Sequence, residues 1–134
     1  MTTRAAGTFS VTLVPQVTEG YSEDGTLSRM TIDKELHGDL EGTSKGQMLA
    51  ATTGVKNSAG YVAIERITGT LHGKSGTFAL MHTGTMDRGV SGLAITVVAD
   101  SGTGELAGLT GTFTIIRAGG SHSYEFDYAI DEVP

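Results

Sequence analysis

The chain has no cysteine and no tryptophan among its 134 residues, and only two prolines. Without cysteine there is no disulfide framework, and no thiolate to hold zinc or attack an electrophile. Basic residues are also few. Nine Lys and Arg stand singly against fifteen Asp and Glu, for a net charge of −6. That balance argues against a surface for nucleic acid or an anionic membrane, since both need clustered cations. No stretch approaches the ~18 successive apolar residues of a membrane-crossing helix. Met1 to Ala6 carries one Arg with no apolar run behind it, so no secretion signal is expected either. The missing cysteine suits a cytoplasmic protein.

Glycine, by contrast, is abundant at 20 residues, and it recurs in a frame. Gly69-Thr70-Leu71-His72-Gly73-Lys74-Ser75-Gly76-Thr77-Phe78 is repeated as Gly104-Glu105-Leu106-Ala107-Gly108-Leu109-Thr110-Gly111-Thr112-Phe113. Gly38-Asp39-Leu40-Glu41-Gly42-Thr43-Ser44-Lys45-Gly46 is a looser copy. Glycines at these offsets permit φ > 0 and close backbone approach, so each copy predicts strand, tight bend, strand. The leucines and phenylalanines at fixed places make the frame scaffold, turning and closing a sheet.

Between the corners the hydrophobic period is two. Phe9, Val11 and Leu13 alternate with polar residues over Gly7 to Val14, and Met30, Ile32 and Leu36 do so over Leu27 to Gly38. Leu40 to Thr53, interrupted by Gly42 and Gly46, predicts a bent or bulged strand. Tyr61 to Thr70, Thr77 to Met86, Leu93 to Ala99, Thr112 to Ala118 and His122 to Ile130 complete about eight strands. No amphipathic helix separates them. Gln16 to Thr26 reads as a long polar loop, mobile or a lid. A single all-β domain over residues 1–134 follows. An eight-stranded antiparallel up-and-down barrel is the expectation, because closure removes open edges and leaves room for one small ligand; a sandwich is the other arrangement of such strands.

Candidate chemistry lies where a polar group interrupts an apolar row, since a buried charge needs a partner. Lys34 shares the parity of Met30, Ile32 and Leu36; Glu65 that of Tyr61, Ala63 and Ile67; His82 that of Leu80 and Met86; Arg117 that of Phe113 and Ile115. If those rows face one cavity, they supply a cation, a carboxylate and an imidazole beside Tyr61 and Tyr124. A carboxylate desolvated there would have a raised pKa and serve as acid or base near neutrality. Lys34 with Glu65 also fits a structural ion pair. Glu41, beside the expected bulge, is a further acid–base candidate, or a solvent-facing carboxylate. Ser44 is in no nucleophile elbow; with Met48 and Phe78 it is placed in the pocket wall, although Met and Phe serve equally as core filler. His37, His72, His82 and His122 lack metal-ligand spacing, and His37 and His72 fall at glycine-rich bends where solvation is expected. Neither a metal nor a cofactor is expected.

Ile32-Asp33-Lys34-Glu35-Leu36-His37-Gly38-Asp39-Leu40-Glu41-Gly42-Thr43-Ser44, Gly60 to Glu65, Gly69 to Gly73, His82-Thr83-Gly84, Asp100 to Leu106 and Tyr124 to Tyr128 together resemble a bacterial family of unknown function. Its fold is like that of allene oxide cyclase. The resemblance implies a calycin-like, eight-stranded antiparallel barrel, often oligomeric, and carries activity only by analogy. Three readings follow. One is a cofactor-independent isomerase, cyclase or lyase for an apolar small molecule. In it Glu65 or Glu41 is the acid or base and His82 a proton relay or hydrogen-bond donor. Lys34 or Arg117 stabilises negative charge, and Tyr61 and Tyr124 position the substrate. The others are a non-catalytic binding protein and a structural or assembly module with a filled core.

Overall fold

The computed structural model describes residues 2–17, 20 and 24–132. Among these it has eight strands: β1 Thr3–Gln16, β2 Leu27–Gly38, β3 Leu40–Thr52, β4 Ala59–Leu71, β5 Lys74–Asp87, β6 Val90–Val97, β7 Leu109–Ala118 and β8 Ser121–Ile130. Each pairs antiparallel with the next and β8 pairs with β1, closing an up-and-down barrel. The alternation of period two is what closes it. Inward positions bury Phe9, Ile32, Leu36, Ile67, Leu80 and Phe126, while their chain neighbours face outward. No helix among the described residues is long and apolar enough to cross a membrane. The expected lid, Gln16 to Thr26, falls in part on residues 18, 19 and 21–23, which lie outside the described residues.

The three glycine frames gather at one end of the barrel and seal it. Leu40, Leu71 and Leu106, the equivalent leucine of each copy, are all buried. The copy at 69–78 is the β4–β5 hairpin, turning at His72 (φ 45°) and Gly73 (φ 81°), where the left-handed backbone suits a two-residue turn. The copy at 104–113 departs from strand, bend, strand. It begins as a 3₁₀ turn, Gly104–Leu106, and leads into β7 from one side only. The reason lies in β6, which pairs with β5 from Leu80 to Asp87 and not beyond. The chain after β6 instead caps the remaining edge of β5. Val98 N–H donates to the Ala79 carbonyl at 2.9 Å and Thr103 N–H to that of Thr77 at 2.8 Å.

β3 carries no bulge. Its register runs without a break against β2 from Leu27↔Ala51 to Leu36↔Gly42, and against β4 from Leu40↔Leu71 to Thr52↔Ala59. The wall between β6 and β7 is its weakest part, since their ladder is registered only at Thr96↔Thr112. Towards the end opposite the seal these two strands part.

Beneath the seal, Phe78 stacks on Phe126 (5.7 Å, 9°) and Phe113 on Tyr124 (5.2 Å, 17°). Tyr124 ties this stack to the β2–β3 turn. Leu40 N–H donates to its hydroxyl at 2.9 Å, and that hydroxyl lies 3.0 Å from the His37 carbonyl and 3.1 Å from that of Leu40. Tyr124→Phe should cost about 1–3 kcal/mol, because a buried N–H loses its acceptor. A urea midpoint equal to that of the parent would show that the hydroxyl contributes nothing. His72 is exposed at its bend, as expected, and its Nδ1 also lies 2.5 Å from the Tyr128 hydroxyl in a part-buried contact.

Candidate functional site

The end opposite the seal is hollow. An inner chamber of about 220 Å³ is lined by residues that include Phe9, Val11, Ile32, Lys34, Tyr61 and His82. An outer chamber of about 460 Å³ opens past Gly84, Met86, Gly92 and Leu93, beside the parting of β6 and β7. Met48, Tyr61, Ile115 and Arg117 line both. Tyr61 lies flat against Gly84, where a Cβ would come within 2.0 Å of its ring.

Four polar strand positions converge at the floor of the inner chamber. Glu65 on β4 has a side chain with no exposure, and every hydrogen bond it makes comes from another strand. Lys34 Nζ on β2 donates to Oε2 at 2.8 Å, and Ser44 Oγ on β3 donates to Oε1 at 2.7 Å. His82 Nε2 on β5 lies 2.5 Å from Oε2. Gly46 makes this packing feasible, since a Cβ there would sit 2.7 Å from that of Glu65 and 2.3 Å from the Ile64 carbonyl. The glycine that suggested a bulge is thus a point of close approach between two paired strands.

The electrostatics reverse one expectation. Burial does push the Glu65 carboxyl upward. The hydrogen bond from His82 and the adjacent Lys34 ammonium outweigh it, however, and hold the group at about 2. Glu65 is therefore an ionised acceptor near neutrality, not a carboxylic acid poised to transfer a proton. An ionised carboxylate can only accept, so the proton in its contact with His82 is on Nε2. In the neutral ring the lone pair is then on Nδ1. No fully buried side-chain nitrogen or oxygen among the described residues lacks a partner, and Nδ1 makes no hydrogen bond to them. Nδ1 is accordingly not fully buried, and its ring lines the inner chamber. The ring of Tyr61 stands 6.4 Å from that of His82. Burial raises the Tyr61 phenol above its ordinary value, while the Arg117 charge opposes that shift.

The ten residues singled out from the sequence do not form one group. Lys34, Tyr61, His82, Arg117 and Met48 line the cavity, with Glu65 and Ser44 in the layer behind. Tyr124 and Phe78 are in the sealed core and line neither chamber. Glu41 is exposed at the β2–β3 turn, where it accepts from Gly38 N–H at 2.7 Å and lies 3.3 Å from His37 Nδ1. That hydrogen bond to the Gly38 backbone is the main cause of its lowered pKa. His122, treated above only as a metal candidate, lines the inner chamber and stands 5.2 Å from the Phe9 ring. Its signal was present in the sequence, since it shares the parity of Tyr124, Phe126 and Tyr128. Among the described residues no three His, Asp or Glu side chains converge as metal ligands would.

The family model described as "Protein of unknown function (DUF3224)" matches residues 5–128. A crystal structure of a DUF3224-family protein of unknown function from Shewanella oneidensis MR-1 is 44% identical to this chain. It aligns over 99% of this chain and 100% of its own, with a TM-score of 0.93. No curated protein matches significantly.

Proposed function

The chain belongs to the DUF3224 family of proteins of unknown function, and we propose that its barrel receives a small, largely apolar molecule on which His82 acts as a cofactor-independent proton-transfer base. The observation that carries this reading is the pairing of His82 with a buried carboxylate at the floor of an apolar cavity. Glu65 orients the ring through Nε2 and stabilises the imidazolium that forms when Nδ1 accepts a proton, and Lys34 and Ser44 keep Glu65 ionised and in place. A proton taken from one carbon and returned to another is an isomerisation, and it needs no redox partner. Tyr61, whose hydroxyl makes no hydrogen bond to the described residues, offers a donor to a substrate oxygen as charge develops there. Lys34 is then a structural counter-charge, with its ammonium 5.1 Å from the centre of the Phe9 ring.

Two measurements separate binding from turnover. The neutral fluorophore N-phenyl-1-naphthylamine should bind and become brighter, and a flat titration would remove the receptacle. In D2O the protein should speed deuterium uptake at the acidic carbons of phenylacetone. His82→Gln should lose about 10²–10⁴ of that acceleration, the usual contribution of a positioned base. Equal exchange by parent and variant would leave a binding protein without proton transfer.

A further inference from the structure

The two chambers have a one-sided charge. The chain holds fifteen Asp and Glu, yet none of those among the described residues lines either chamber, whereas Lys34, Arg117, His82 and His122 do. Lys34 is neutralised by Glu65 at 2.8 Å. Arg117 is not: it makes no hydrogen bond or ion pair with the described residues, although it lines both chambers and its charge is felt at the Tyr61 phenol. Elsewhere Arg4 is paired with Glu125 and Asp127, and Lys45 with Asp33. Lys56, Arg66 and Lys74 are exposed cations that line neither chamber. Arg117 is thus the unneutralised cation among the cavity-lining residues of an acidic protein.

Accepting the cavity as a binding site, as proposed above, we infer that its ligand is an apolar monoanion. Its carboxylate is received by Arg117 at the mouth, and its apolar body reaches inward between Phe9, Ile32, Met48 and Ile115 towards His82. Three features support this. A guanidinium presents a planar fork that matches a carboxylate with two parallel hydrogen bonds. A ligand seated against the apolar walls displaces water from one side of the pair, so the attraction is screened less than between two freely solvated ions. The absence of acidic side chains among the described lining residues removes a source of repulsion for an anion. It would also leave a ligand cation unpaired, which selects against amines.

The test uses 4-phenylbutyrate, 4-phenylbutyramide and 4-phenylbutylamine, which share one apolar body, titrated calorimetrically into the intact protein. The carboxylate should bind on the order of ten-fold tighter than the amide, with the amine weakest. In Arg117→Gln the ratio of acid to amide should fall close to one. Arg66→Gln, which removes an exposed cation outside the cavity, should leave the ratio at its parent value. Thermal midpoints of both variants should match the parent, because both side chains are exposed. Equal binding of acid and amide by the parent would overturn the anion and leave the receptacle standing. So would a preference that survives in Arg117→Gln. Binding of none of the three would overturn both.

Discussion

Glu65→Gln should destabilise the protein by about 3–5 kcal/mol at pH 7, the usual cost of removing one member of a buried ion pair. Glutamine fills nearly the same volume and still accepts from Ser44, so lost packing is not the cause. The cause is Lys34. Its ammonium, 2.8 Å from Glu65 and with a side chain only 6% exposed, would keep its charge in an apolar wall with no counter-charge beside it. The second variant follows from the same argument. Lys34→Met removes the stranded cation and replaces it with an apolar chain of similar length, so Lys34→Met with Glu65→Gln should recover most of the loss. Urea unfolding of the parent, both single variants and the pair closes a double-mutant cycle. A loss below about 1 kcal/mol in Glu65→Gln would mean that cavity water solvates Lys34 well enough to make the pair unimportant.

The parent should lose stability in acid as Glu65 takes up a proton. Its carboxyl is held at about 2 in the folded chain against an ordinary value of 4.5. A group depressed by folding contributes stability in full above its unfolded value and loses it as pH falls through the folded value. The loss therefore begins near 4.5 and is complete around 2. The interval corresponds to about 3 kcal/mol at 1.36 kcal/mol per pH unit. Other carboxylates titrate over the same range, and comparison with Glu65→Gln removes their contribution. Protonated Glu65 and the glutamine substitute present similar neutral groups, so the stability gap between parent and variant should narrow as the pH drops. A gap that stays constant from pH 7 to the acid limit would show that the charge of Glu65 contributes nothing to folding.

Much of this architecture was legible in the chain because a strand's side chains alternate strictly between two faces. Lys34, Glu65 and His82 each stood on an apolar parity, and parity alone directs them inward. Where chemistry was harder to assign, the cause was height along the barrel axis. Tyr124 and Arg117 are both inward by parity, but one sits under the sealed end and the other at the mouth. Gly46 shows a second limit. In the sequence it resembles a strand defect; in the folded chain it is the space that admits Glu65. The direction of the Glu65 shift was a third, because burial alone predicts an upward one. The downward shift depends on donors from β2 and β5, thirty-one and seventeen residues away in sequence.

By itself, then, the sequence determined the strand count, the antiparallel order and the inward set of residues. Period-two patterning and glycine turns are local properties of the backbone, and they follow from side-chain type and spacing alone. Tertiary structure decided which inward residues meet. It sealed one end with Leu40, Leu71 and Leu106 and parted β6 from β7 at the other. It set His82 against an ionised Glu65 and left Arg117 without a partner. Those outcomes depend on strand tilt and register around a closed sheet, which bring together side chains from different strands at one level of the barrel.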